Sequence, residues 1–129
     1  MAIKFSSVGQ MRIVCTENVL EIKFERRDRS RVPKTRRMLC TLDFAILDSP
    51  LGKSVLNFRK PKRRARFDAG KYGLCTVWDL IMQDWRNVPV KAVDCISKFT
   101  TRPQKEFWEF FEAVIKPMSK EQRKHFMDV

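Results

Sequence analysis

Residues 19–26 read VLEIKFER. In an extended chain Leu20, Ile22 and Phe24 fall on one side and Glu21, Lys23 and Glu25 on the other, and this period of two marks a half-buried strand. Just upstream, residues 11–16 read MRIVCT, again rich in β-branched side chains. The Glu17-Asn18 pair between the two runs suits a tight turn, because Asn tolerates positive φ. Together they predict a β-hairpin. Further on, Met38 to Leu47 (MLCTLDFAIL) predicts another strand, which ends at the Asp48-Ser49-Pro50-Leu51-Gly52 turn, with Ser54 to Phe58 (SVLNF) as its partner.

Past Gly70 and Gly73 the apolar period changes from two to 3.6. Val77, Trp78, Leu80, Ile81, Met82 and Trp85 fit an amphipathic helix with Thr76 as N-cap and Pro89 closing it, and Val90 to Phe99 fits a further short helix. Thr101-Arg102-Pro103-Gln104 has the form of a capping box. In the helix that follows, Phe107, Trp108, Phe110, Phe111, Val114, Ile115 and Met118 cover one side and Lys105, Glu109, Glu112 and Lys116 the other, until Pro117 ends or kinks it. Ser119-Lys120-Glu121-Gln122 repeats the box and opens a last basic helix through Phe126. The expected fold is α+β: an N-terminal antiparallel β-sheet followed by C-terminal amphipathic helices packed on one of its faces. A length of 129 residues suits one compact domain, 1–129, with a sub-boundary near 70–73 between strand-rich and helix-rich halves.

The core is ordinary and the charge is not. Hydrophobic residues make up 43% of the chain, enough to fold, yet 27 Lys and Arg face 15 Asp and Glu, for a formal net charge of +12. Such an excess costs self-repulsion and points to a polyanionic partner. Arg26, Arg27, Arg29, Arg31, Lys34, Arg36 and Arg37 form one cluster, and Arg59, Lys60, Lys62, Arg63, Arg64, Arg66 and Lys71 a second. Together they hold 14 of the 27 basic residues, and 10 of the 14 are Arg, whose planar fork grips phosphate oxygens in pairs. The first cluster surrounds Pro33 and has almost no apolar residue, so it reads as an exposed loop. The second leaves the strand ending at Phe58, and a simple meander brings both to one end of the sheet. Phe58, Phe67 and Tyr72 border the second cluster, where they either stack on unpaired bases or anchor the loop to the core.

Several chemistries lack their residues. Cys15, Cys40, Cys75 and Cys95 stand alone in the sequence without the close pairs that build a zinc site, so they read as small buried hydrophobes and no metal or other cofactor is expected. His125 is the only histidine, and no nucleophile can be placed beside it. Leu51-Gly52-Lys53-Ser54 ends like a phosphate-binding loop, but Leu47 stands where its first glycine belongs. Asp79 and Asp84 read as residues on different helix faces, unsuited to paired acid–base work. No catalytic residue is expected.

The sequence thus suggests a non-enzymatic nucleic-acid-binding protein, with RNA or another single strand favoured over duplex DNA and with Phe67 beside the Arg-rich clusters. The alternative is a small adaptor or regulatory protein, of the kind found among viral accessory proteins, that binds a protein partner. Phe107, Trp108 and Phe111 are then its contact residues and the basic runs serve a nuclear import carrier, for RKPKRRAR has the density of an import signal. The aromatic helix also suits self-association. No run of apolar residues has the length of a signal peptide h-region or a transmembrane helix, so an intracellular location, nucleus or cytoplasm, is expected.

Overall fold

The computed structural model describes residues 3–25, 35–61, 69–99 and 105–127. Its elements are α1 (Val8–Glu17), β1 (Val19–Glu25), β2 (Thr35–Thr41), α2 (Phe44–Leu47), α3 (Pro50–Val55), β3 (Leu74–Asp79), β4 (Asp84–Pro89), β5 (Asp94–Phe99), α4 (Lys105–Phe110) and α5 (Lys120–Phe126). Short 3₁₀ turns occupy Ala69–Tyr72 and Val90–Ala92, and Phe111–Ile115 forms a π-type turn that extends α4. The five strands make one antiparallel sheet in the order β4-β3-β2-β1-β5. This is the α+β fold, and the sheet draws strands from both sides of residues 70–73.

VLEIKFE is the strand its alternation predicts, paired on both sides, with β2 from Val19↔Thr41 to Glu25↔Thr35 and with β5. Leu20, Ile22 and Phe24 face a first core that also contains Met38, Cys40, Val77 and Val88. The cover over that core corrects the sequence reading, because residues 11–16 are helical and not a strand. Ser7 caps the helix, its Oγ accepting from the Gln10 N–H at 3.1 Å, and Met11 and Cys15, one turn apart, are the buried pair. A strand would turn Ile13 inward with them, yet Ile13 is 67% exposed.

Two further corrections concern residues 38–58. β2 starts earlier than expected, at Thr35, and ends at Thr41; residues 44–47 are helical, capped by Asp43 accepting from the Ala45 N–H at 3.1 Å. The expected Ser54–Phe58 strand is also overturned, since Ser49 and Pro50 begin a helix and do not close a turn. Ser49 Oγ accepts from Gly52 N at 2.9 Å, and proline at the first helical position has no N–H to lose. Gly52 lets α2 and α3 pack closely, because a Cβ there would collide with the carbonyl oxygens of Ile46 and Leu47. Asn57, at φ 54°, ends α3 and turns the chain into Phe58 and Arg59.

The expected Val77–Trp85 helix is a hairpin. Leu74 through Asp79 is buried on both faces, so its apolar run carries no alternation that distinguishes strand from helix. Asp79 shapes the turn: its Oδ1 accepts from the N–H groups of Ile81 and Met82, each at 3.0 Å, and Gln83 closes it at φ 57°. Thr76 is therefore a strand residue, its hydroxyl 2.6 Å from Asn87 Oδ1, and not a cap. The expected helix over Val90–Phe99 is a 3₁₀ turn followed by β5, an edge strand whose Cys95 exchanges backbone hydrogen bonds with Ile3.

The C-terminal helices pack on the face opposite α1, where Trp78, Leu80, Leu47 and Leu56 join Phe111 and Ile115 in a second core. The Ser119 capping box is formed with Gln122 in both directions. Arg123 of α5 donates to the carbonyls of Lys116 at 3.0 Å and Ile81 at 3.4 Å, which ties the chain end to the β3–β4 turn. The expected box at 101–104 lies outside the described residues. Among the described residues no helix is long and apolar enough to cross a membrane.

Candidate functional site

At the turn between β3 and β4, one described residue of each basic cluster bonds a carboxylate. Asp79 and Asp84 are the last register pair of that hairpin. Arg36, at the start of β2, donates from Nη2 to Asp79 Oδ2 at 2.8 Å. Arg59, from the second cluster, donates from Nη2 to Asp84 Oδ1 at 3.0 Å and from Nη1 to the Gln83 carbonyl at 3.4 Å. Its guanidinium carbon lies 5.4 Å from the centroid of the Trp78 ring, and its own carbonyl accepts from Trp85 Nε1 at 3.1 Å. Arg59 is thus fixed through both side chain and backbone.

Aromatic packing makes that attachment rigid. Phe58 is buried with edge-on contacts to Trp78 at 5.3 Å and Trp85 at 5.8 Å, and the two indoles meet edge-on at 5.3 Å across the hairpin. Of its two expected roles, Phe58 therefore has the anchoring one. Tyr72 is 66% exposed, but it follows the second cluster at the far end of β3. A six-residue strand is roughly 16 Å long, so neither Tyr72 nor Lys71 shares the turn with Arg36 and Arg59.

The remaining described members of the clusters also have carboxylate partners. Arg37 Nη2 lies 3.5 Å from Glu21 Oε2, and Lys60 Nζ lies 3.2 Å from Asp48 Oδ2, which Lys53 also approaches at 3.4 Å. These contacts, chiefly the Lys60 hydrogen bond, hold the Asp48 carboxyl below the usual carboxylate range. Arg26, Arg27, Arg29, Arg31, Lys34, Lys62, Arg63, Arg64, Arg66 and Phe67 lie outside the described residues. Of the expected protein-contact residues, Phe111 is buried in the second core, and Phe107 and Trp108 are half-buried against it. The exposed apolar side of that segment is Phe110 and Val114, at 41% and 38% exposure.

The two turn carboxylates differ electrostatically. Burial raises the Asp79 carboxyl above its ordinary value, against the opposing pull of the Met82 N–H, Arg36 and the Ile81 N–H. Asp84 is half-exposed; burial, the largest single influence, raises it, but the Trp85 N–H, Arg86 and Arg59 together bring it below the ordinary value. The sequence missed this pairing because it placed both aspartates on a helix. The pattern that could have revealed it was Asp-x-x-x-x-Asp flanked by two tryptophans, which suits a four-residue turn.

The four cysteines converge in the first core as free, buried thiols. Contact with Cys40, then burial, raises Cys15 far above the thiol range; contact with Cys15, then burial, does the same to Cys75; burial raises Cys95. Thiols held protonated in an apolar core are weak nucleophiles and poor ligands. Among the described residues no three His, Cys, Asp or Glu side chains are grouped so as to hold a metal ion. His125 lies on exposed α5, 3.2 Å from Glu121. Comparison with protein-family models, with curated proteins and with solved structures gives no match to this chain.

Proposed function

We propose that this chain is a non-enzymatic nucleic-acid-binding protein that holds phosphates with its two Arg-rich clusters, single-stranded RNA ahead of duplex DNA. The observation that carries the reading is the attachment of both clusters, through Arg36 and Arg59, to one register pair at the β3–β4 turn. The charge distribution supports it. Segments 26–34 and 62–68 hold nine Lys and Arg against two Asp, whereas the rest of the chain holds 18 against 13. Charge concentrated in two short segments of the sequence suits a polyanionic partner, which a dispersed solubilising charge does not.

Fluorescence anisotropy with labelled single-stranded RNA, double-stranded RNA and duplex DNA of equal length tests the reading. A footprint of about six phosphates lowers affinity on the order of 10³-fold between 50 and 200 mM salt. Submicromolar binding to the single strand at 150 mM salt, abolished in Arg63→Glu/Arg64→Glu, is the expected result. Equal, weak binding to all three that vanishes by 150 mM would refute it.

A second reading, attachment to a protein partner with the basic runs serving nuclear import, is favoured by Phe110 and Val114, which are exposed one helical turn apart. It predicts that Phe110→Asp removes a partner without changing nucleic-acid affinity.

A further inference from the structure

A phenylalanine left nearly half in water forgoes stabilising burial, and among the described residues two are so placed: Phe44 at 47% exposure and Phe110 at 41%. Their surroundings differ. Phe110 lies on α4 one turn after Glu106 and directly after Glu109, carboxylates that repel an anion. Phe44 opens α2 one turn before Asp48, whose N–H donates to the Phe44 carbonyl at 2.8 Å. Side chains four apart share a helix face, about 5 Å from one another along the axis.

Asp48 gathers cations onto that face. Its Oδ1 lies 3.4 Å from Lys53 Nζ and its Oδ2 3.2 Å from Lys60 Nζ, and the two lysine side chains are 62% and 68% exposed. An ammonium has three N–H donors, so a lysine that gives one to Asp48 is not used up by it. Two ammonium groups on one carboxylate also leave a local excess of positive charge. The aromatic ring beside them is fixed from below. Phe44 meets Phe58 in a T-shaped contact at 5.9 Å, and buried Phe58 is held in turn by Trp78 and Trp85. Such a contact covers at most one face of the Phe44 ring.

An exposed ring on a rigid base, with cations within a helical turn, has the chemistry that binds unpaired bases: a flat apolar face for the base and positive charge for the phosphates on either side of it. A purely apolar partner would gain nothing from the two lysines. From these contacts, and on the premise of the nucleic-acid reading above, we infer that Phe44 is a base-stacking residue for single-stranded RNA, with Lys53 and Lys60 on the neighbouring phosphates.

Stacking and phosphate contact leave different traces. Stacking is worth about tenfold in affinity per base and releases no counterions, so Phe44→Leu should bind single-stranded RNA about tenfold more weakly with an unchanged salt slope. Each phosphate contact on a single strand adds about 0.7 to the slope of log affinity against log salt, so Lys53→Gln/Lys60→Gln should flatten it by about 1.4. The experiment is fluorescence anisotropy of the full-length chain and these variants between about 50 and 200 mM salt. Its two probes are a labelled single-stranded RNA and a labelled base-free sugar-phosphate strand of equal length. The expected result is that Phe44→Leu loses affinity for the RNA alone, and that Phe44→Tyr, which keeps the ring, restores it. Equal RNA binding by wild type and Phe44→Leu, a loss as large on the base-free strand, or no rescue by Phe44→Tyr overturns the stacking site and leaves Phe44 to the protein-partner reading. An unchanged slope in the lysine variant overturns the phosphate contacts. Wild type that binds no RNA at the lowest salt overturns the nucleic-acid reading itself and takes this inference with it.

Discussion

Arg36 with Asp79 and Arg59 with Asp84 are the same two side-chain types at the two positions of one register pair, and they obey different physics. The Arg36 and Asp79 side chains are 23% and 3% exposed, while those of Arg59 and Asp84 are 53% and 43% exposed. In the first pair both charges have given up most of their water, and the attraction between them offsets that loss only because Ile81 and Met82 complete the carboxylate's hydrogen bonds. In the second, water screens both charges and little is at stake for folding. The hairpin turn thus has one ion pair that holds the fold and one on which the fold depends little.

The largest effect should come from breaking the inner pair. Asp79→Ala removes the carboxylate that Arg36 bonds and the acceptor for two backbone N–H groups in a buried turn, a loss of about 3 kcal/mol. Thermal unfolding should then start at least about 10 °C lower for a domain of this size. Asp79→Asn keeps an acceptor oxygen and should recover more than half of the loss. A fall of only a degree or two in Asp79→Ala would place Asp79 in the same regime as its neighbour.

Breaking the outer pair should matter much less to folding. Arg59→Ala removes an exposed ion pair and a cation–π contact, together about 1 kcal/mol, and Asp84→Asn removes about 0.5 kcal/mol or less. Urea titrations of the two variants measure this. A loss in Asp84→Asn as large as that in Asp79→Ala would erase the distinction between the two sides of the turn.

The readable parts of this fold were those whose burial is one-sided. VLEIKFE alternates because one face of β1 meets the first core more fully than the other, and Ser119 to Gln122 announces its helix by local hydrogen bonds alone. Residues 77–85 match a helical period by accident, because β3 is buried on both faces and its apolar residues continue into a buried turn at Leu80 and Ile81. Residues 11–16 failed for the converse reason: β-branched Ile13 and Val14 look like strand, and only the spacing of Met11 and Cys15 beneath the Ser7 cap carries the helix. At the site, the charge clusters were plain in the sequence. That Arg36 and Arg59 bond the two aspartates of one turn was not, because the pairing of Asp79 with Asp84 depends on a turn that Asp79 itself shapes.

The smallest effect separates the two carboxylates by pH. The ordinary carboxylate value here is 3.8; Asp79 lies above it because of burial, and Asp84 below it because the Trp85 N–H and two arginines outweigh burial. A group raised in the folded state contributes stability that is fully present below its unfolded value and is lost as pH rises through its folded value; a lowered group contributes above its unfolded value and loses that contribution as pH falls through the folded one. The melting-temperature difference between wild type and Asp79→Asn should therefore shift against the wild type as pH rises above about 4. For Asp84→Asn the difference should move against the wild type as pH falls below about 4, and by less, because that carboxyl is half in water. Opposite slopes from two aspartates in one register pair would show that the turn holds one charge at the expense of solvation and keeps the other in contact with water. Slopes of the same sign would mean that Arg36 compensates Asp79 as fully as solvent and arginine compensate Asp84.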